Sequence, residues 1–303
     1  MQRYRIAALL ALICALVGGT IYAVTAVLHG NVILTRQLKL MTDLAYELDE
    51  GHGSTQAILR TLARNPLLAG YLGDTDTKPS DETMRLLFNS FMDTMHADVV
   101  FLLDTHGRMT ACSDYPTAQM MGNDFSFRPY FKQALAGEES IYPAVGKITK
   151  TRGIYYSVPV RGSMQKDCIG VLAAKLPVSI WSQRFDHIAE QVALVSPDGV
   201  IFESNNPAWI LHTATTVTDA HRAQLLESRQ FGDSALDPLP WFKAGGSVVI
   251  DGMRHTVREI RVLRDGWKAV CFFPKNAPEP MPRTLFYAVL GVAGALVVLA
   301  LFS

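Results

Sequence analysis

Arg128 and Lys175 are the residues whose type and setting point most directly to chemistry, and that chemistry is the binding of an anion. Arg128 stands immediately before Pro129, and the apolar pattern Tyr130, Phe131, Ala134, Leu135 runs on to Gly137. Proline at the first position and glycine past the end predict a short helix. Arg128 then lies at the positive end of that helix, where a guanidinium beside free backbone N–H groups suits a carboxylate. A local ion pair with Asp124 is the competing role. In Ile169-Gly-Val-Leu-Ala-Ala-Lys175 the alternating set is Ile169, Val171, Ala173 and Lys175, so the lysine continues an apolar face. There it needs an anionic partner or a route to water, and snorkelling from a strand end is the alternative.

Between these two cations the chain offers hydroxyls. Thr149 and Thr151 enter the segment Arg152-Gly153-Ile154-Tyr155-Tyr156-Ser157, in which Tyr155 and Ser157 share one strand face. With Tyr130 and with Tyr142 closing one side, they complete a cage for a small anion, unless they only cap loops and polarise an ordinary sheet face. No catalytic constellation accompanies them. There is no P-loop, no G-x-G-x-x-G, no H-E-x-x-H, no C-x-x-C and no nucleophile elbow. The eight histidines form no metal-like pairs, and His96 and His187 read as helix-surface residues. No catalytic residue, metal ligand or cofactor is therefore expected.

The elements that position these residues sit between two apolar runs. Ile6–Leu28 and Leu285–Ser303 carry no charge, and the first covers ~34 Å as a helix, enough for a hydrocarbon core of ~30 Å. The first run is too long for the core of a signal peptide. Arg3 and Arg5 precede it, which puts the N-terminus in the cytoplasm and the middle of the chain across the membrane. The 303 residues are 49% hydrophobic and only 18% charged, with 28 basic against 28 acidic side chains. That balance disfavours disorder and gives no basic field for nucleic acid. Four cysteines are too few for a disulfide scaffold, and whether Cys112 and Cys168 pair is left open. Cys271 reads as a core residue.

After the first run, Leu34, Leu38, Met41, Ala45 and Leu48 recur at helical spacing, predicting a long helix suited to pairing with its own copy. Gly51-His52-Gly53 is read as a break, with Ser54 capping a further helix that Asn65-Pro66 stops. A stripe of Met84, Leu87, Phe88, Phe91, Met92 and Met95 predicts another helix. From Asp98 the pattern changes to short strands with a turn at Thr105–Arg108, and a related pair returns around Ser196–Gly199. The offset between Gly107 and Gly199 is 199 − 107 = 92 residues, the signature of tandem α+β units with antiparallel sheets. The organisation expected is a cytoplasmic 1–5, a span at 6–28, a helical stalk at 29–97, a membrane-distal unit at 98–183, a membrane-proximal unit at 184–282 and a span at 285–303.

Two spans bracketing a long helix and two such units resemble the double Cache (PAS-like) sensor module of bacterial receptors. The stretch GNDFSFRPYFKQALAGEESIYPAVGKITKTRGIYYSVPV, residues 122–160, resembles the C4-dicarboxylate sensor histidine kinases, in which F-R-P-Y-F is followed by T-x-x-x-R-G-x-Y-Y. The resemblance implies that Lys175 faces the ligand and that the ligand is a small organic acid. It further implies a homodimer in the bacterial inner membrane, with a periplasmic sensor and a response regulator reached through a cytoplasmic domain not contained in these residues. Diguanylate cyclase and chemoreceptor outputs share the same module. A membrane-anchored accessory protein is the reading if the chain ends naturally at Ser303.

Overall fold

The computed structural model describes residues 2–73, 78–114, 120–162, 167–214, 217–239, 247–263 and 266–275. The chain divides into two units, Met1–Thr42 with Pro274–Ser303, and Asp43–Phe273.

Helix α1, Gln2–Ala63, supplies the described part of the first unit. Leu16, Val17, Val24, Val27, Leu28 and Val32 are exposed on it. The hydroxyls of Thr20 and Thr25 donate to the carbonyls of Leu16 and Ile21, at 2.8 and 2.9 Å. Such bonds to the carbonyl one turn back are an ordinary way for a threonine within a helix to be satisfied. Among the described residues this is one helix long and apolar enough to cross a membrane. The second expected span, 285–303, lies outside the described residues.

In the second unit, α1 continues without a break to Ala63, which corrects the expected interruption at Gly51-His52-Gly53. Glycine costs a helix only about 1 kcal/mol, and tertiary contacts offset that here. His52, Thr55, Gln56 and Leu59 are all buried. Arg184 donates to the Glu47 carbonyl, the Leu263 amide donates to Asp49 at 2.6 Å, and the His52 ring meets the Tyr156 hydroxyl. Asn65 caps α2, Pro66–Tyr71, and Ser80 caps α3, Asp81–Met95, whose buried stripe is Met84, Phe88 and Met95.

The first sheet comprises β1 Val99–Leu103, β2 Met109–Cys112, β3 Ser140–Val145, β4 Arg152–Arg161 and β5 Cys168–Pro177, in the antiparallel order β2-β1-β5-β4-β3. Helix α4, Pro129–Leu135, packs on β3, β4 and β5 over a core that includes Phe101, Tyr130, Phe131, Val171 and Ala173. The alternate residues Val100, Leu102, Tyr156, Leu172 and Ala174 are buried on the opposite face, toward α1 and α3. Coverage of both faces explains why β4 and β5 read as nearly unbroken apolar runs. Strand β3 is not legible in the sequence. Pro143 lies inside it, which an edge strand tolerates and a central strand does not.

Helix α5, Ser179–Asp186, leads to the second sheet: β6 Gln191–Val195, β7 Ile201–Ser204, β8 Ser247–Ile250, β9 Met253–Arg261 and β10 Lys268–Pro274. Helix α6, Asp219–Ser228, falls between β7 and β8. The order β7-β6-β10-β9-β8 repeats the first sheet strand for strand. The pairing slips at Leu102/Leu103 in the first and at Leu194/Val195 in the second, again 194 − 102 = 92 residues apart. Gly107 and Gly199 share φ +81°, a conformation their tight turns require. Cys271 is buried in the second unit's core, its thiol pushed up to about 12 by burial. Cys112 and Cys168 are free thiols.

Candidate functional site

The site is built where α4 meets the open ends of β4 and β5. Pro129 fixes the first turn of α4, so Arg128 takes the cap position with extended backbone (φ −71°, ψ 132°) and no side-chain cap bond. Its side chain turns into the protein and is 2% exposed. Nη2 donates to the Val145 carbonyl at 3.1 Å, and Nη1 to the Arg229 carbonyl at 3.2 Å, in the turn after α6. The local pairing with Asp124 is not what the structure has; that carboxylate accepts from the Ser126 amide at 2.8 Å. Among the described residues Arg128 enters no ion pair; its buried guanidinium is met by two neutral carbonyls, by the Phe127 ring at 5.1 Å from the centroid and by the Tyr142 hydroxyl.

Lys175 is 1% exposed and lies on the α4 face of β5, directly across from Tyr155 on β4 and Val99 on β1. Nζ donates to Thr151 Oγ1 at 2.6 Å and Thr149 Oγ1 at 3.3 Å, and pairs with Asp98 Oδ2 at 3.1 Å. Asp98 was not among the residues singled out from the sequence. The signal available was its place immediately before the apolar run Val99–Leu103. Gly153 is the second residue missed. A Cβ there would stand 2.3 Å from Lys175 Cε and 2.9 Å from its Cγ, so the lysine stem runs over a position only glycine leaves open.

Three phenols complete the surroundings. Tyr130 stacks on Tyr155 with ring centroids 5.2 Å apart and planes within 5°, and Tyr142 lies 6.0 Å from Tyr130. The hydroxyls of Tyr130 and Tyr142 are buried; among the described residues that of Tyr130 has no hydrogen-bond partner, and that of Tyr142 lies beside the Arg128 guanidinium. Burial raises the pKa of both, with the Arg128 charge pulling in the opposite direction, so each stays a neutral donor. Leaving such a group unpaired costs about 1–3 kcal/mol. Ser157 plays a structural part, for its hydroxyl donates to the Tyr130 carbonyl at 2.9 Å and ties β4 to α4.

The described arrangement thus brings together Arg128, Lys175, Thr149, Thr151, Tyr130, Tyr142 and Tyr155 around one end of a sheet, with Ser157 behind them. Lys175 faces the Asp98 carboxylate, Arg128 faces none among the described residues, and the Tyr130 hydroxyl has a donor to spare. Such a site can receive a carboxylate. Among the described residues no group of three or more His, Cys, Asp or Glu is gathered as a metal would need.

No protein-family model matches the chain. In sequence it is 28% identical over 204 residues to the C4-dicarboxylate transport sensor protein DctB of Rhizobium meliloti, covering 65% of this chain and 32% of that protein. It is 25% identical over 179 residues to DctB of Pseudomonas aeruginosa, covering 55% of this chain and 29% of that one. The chain therefore spans about a third of the length of these curated relatives. In structure it matches the sensor domain of the Vibrio cholerae histidine kinase DctB with a TM-score of 0.72 at 20% identity, over 82% of this chain and 99% of that domain. The ligand-binding domain of the Pseudomonas fluorescens chemoreceptor CtaA, solved with L-alanine, matches with a TM-score of 0.57 at 15% identity, over 81% and 99% of the two chains. Two sheets of identical strand order, an α4 site at the first of them and these likenesses agree: the chain has the double Cache sensor fold and is similar in sequence to the C4-dicarboxylate transport sensor proteins.

Proposed function

We propose that this chain is the sensor part of a two-pass inner-membrane receptor whose periplasmic module binds a small carboxylate, a C4-dicarboxylate such as succinate, fumarate or malate first among them. The observation that carries this reading is Arg128, a cation 2% exposed with no ion-pair partner among the described residues. A buried charge without a counterion is costly, and a bound carboxylate supplies the counterion. Lys175 and the threonine hydroxyls receive the second carboxylate, and the phenols of Tyr130 and Tyr142 donate to either. Binding draws α4 and the 145–151 loop together and changes the packing against α1. The paired copy of α1 in a homodimer passes that change across the membrane, to a histidine kinase domain and its response regulator.

A second reading, an amino acid as ligand, is favoured by one observation. Asp98 brings a carboxylate to Lys175 at 3.1 Å, which is a place for an ammonium group. Calorimetry of the full chain in detergent against succinate, fumarate, malate, acetate, alanine and aspartate separates the two. The expected result is saturable binding of the dicarboxylates and none of alanine. Binding of alanine alone selects the second reading, and no binding of any acid overturns both.

A further inference from the structure

The turn that follows α6 belongs to the part of the chain that builds the second sheet, yet its bonds run to the candidate site. Strand β3 is an edge of the first sheet, and an edge leaves alternate N–H and C=O groups unpaired. Gln230 takes up two of them as a further strand would. Its carbonyl accepts from the Val145 amide at 2.7 Å, and its Nε2 donates to the Pro143 carbonyl at 2.9 Å. One residue earlier, the Arg229 carbonyl accepts from Arg128 Nη1 at 3.2 Å, while Arg128 Nη2 donates to the Val145 carbonyl at 3.1 Å. Val145 is thus held through its N–H by the turn and through its C=O by the guanidinium of the site. A Cβ on Gly232 would stand 3.1 Å from Val145 Cγ1, so the turn lies close against that side chain.

The turn is itself firmly shaped. Arg229 and Gly232 take left-handed backbone, at φ +52° and +68°. Ser228 Oγ accepts from the Gln230 amide at 3.1 Å and donates to the Leu225 carbonyl at 2.8 Å. Phe231 is buried, its ring 6.5 Å from that of Phe202 on β7. The ion pair of Lys150 with Asp233 at 3.2 Å is exposed on both sides and adds little. Directly after Val145 the chain enters a loop closed by the Gly146 amide on the Thr151 carbonyl at 2.9 Å, and this loop delivers Thr149 and Thr151 to Lys175 Nζ. A guanidinium has five N–H donors, so Arg128 can keep both carbonyls and still offer donors to a carboxylate.

We infer that the turn at 228–232 is a positioning element of the carboxylate site, with Gln230 as its positioning residue. Gln230 touches no ligand; it sets Val145, and with it Arg128 and the 146–151 loop, in the geometry that receives one. The inference rests on the reading of that site as a ligand site. By linkage, whatever the turn adds to ligand affinity the ligand returns as stability of the turn, so occupancy at the first sheet is felt in the second.

The test is calorimetry of the full chain in detergent with succinate and L-alanine as probes, joined to thermal unfolding and hydrogen exchange. Gln230→Met keeps the side chain's length and removes its bond to Pro143. It should weaken the probe that the native chain binds about two- to tenfold, the worth of one neutral hydrogen bond. Gly232→Ala, strained at positive φ and pressed on Val145, should weaken it at least as much. Val248→Ala, in the core of the second sheet, is the control: it should lower the unfolding temperature and leave the affinity unchanged. In the native chain the bound probe should slow exchange of the Val145 and Gly232 amides, and slow it less in Gln230→Met. Affinity unchanged in Gln230→Met and Gly232→Ala, or exchange in the turn indifferent to the bound probe, overturns the inference and leaves the ligand site standing. So does equal weakening by Val248→Ala, because the turn would then act only through general stability. If circular dichroism shows Gly232→Ala unfolded, the half-buried Gln230 decides alone. A native chain that binds neither probe removes the ligand site and this inference with it.

Discussion

The guanidinium of Arg128 holds two backbone carbonyls, one of them in the turn after α6, whereas the ammonium of Lys175 has Asp98, itself 30% exposed. Their removal should therefore differ. Lys175→Ala should weaken dicarboxylate binding by about tenfold to a hundredfold, the worth of one charged hydrogen-bonded contact, with little loss of stability because Asp98 can turn to water. Arg128→Ala should weaken binding comparably and also destabilise the fold by about 1.5–3 kcal/mol, since two buried carbonyls lose a charged donor. Calorimetry and thermal unfolding of both variants check this; equal stability losses would contradict the assignment of partners. His52 gives a second prediction. Burial first, and the Arg184 charge second, lower its pKa from 6.5 to about 4. Above pH 6.5 it is neutral in both folded and unfolded chains. As pH falls from 6.5 towards 4 the unfolded chain takes up a proton that the folded one refuses, so stability drops, by on the order of 2 kcal/mol at pH 5. Thermal unfolding at pH 7.5 and pH 5 should show this loss in the native chain and a smaller one in His52→Gln.

At the scale of elements, the unbroken α1 is the feature with the clearest consequence. Gly53 lies in its interior, is exposed, and a Cβ there meets nothing within 4 Å. Gly53→Ala should therefore stabilise the protein by about 0.5–1 kcal/mol, the difference in helix propensity. Denaturant unfolding measures it, and a destabilised variant would mean that the chain needs a break at this point. The helix is also where the two sheets are tied to a common rod. Its Glu47, Asp49 and His52 are contacted from α5, from the loop after β9 and from β4. Tyr155 and Tyr156 are neighbours on β4 with opposite facings, one stacked in the candidate site and one on His52. A displacement of β4 by a ligand thus reaches α1 through one strand's thickness.

At the scale of the whole molecule, the two sheets are joined by a buried ion pair. Arg152, at the start of β4, donates to Glu203 Oε2 at 2.7 Å and to the Phe202 carbonyl at 2.6 Å, both on β7. Glu203 is 2% exposed, so Arg152→Met should cost about 3 kcal/mol or more by leaving that carboxylate without its cation. Arg152→Met/Glu203→Met should be less destabilised than the sum of the single variants, and a double-mutant cycle by denaturant unfolding reads the coupling. Topology is tested directly. A reporter active only in the periplasm, fused after Asp237, should be active, and a cytoplasmic reporter there silent. The reverse would put the candidate site in the wrong compartment for an external ligand.

The strand periodicity, the 92-residue repeat, the helix-start position of Arg128 and the inward face of Lys175 were all legible in the amino-acid sequence, because each rests on the spacing of residues along the chain. Side-chain alternation assigns Lys175 to a buried face, and Pro129 assigns Arg128 to a helix start, with no knowledge of what lies opposite. What lies opposite came only from the tertiary structure. Asp98 meets Lys175 because β1 pairs with β5 across more than seventy residues of chain. Arg128 reaches a carbonyl in the turn after α6, and Gly153 gives way to a lysine stem two register positions away on the neighbouring strand. The continuity of α1 through two glycines was likewise decided by burial against β4, which local propensity does not contain. Long-range register and packing outweigh a helix-breaking cost of about 1 kcal/mol per glycine, and that balance is struck only once the chain has folded.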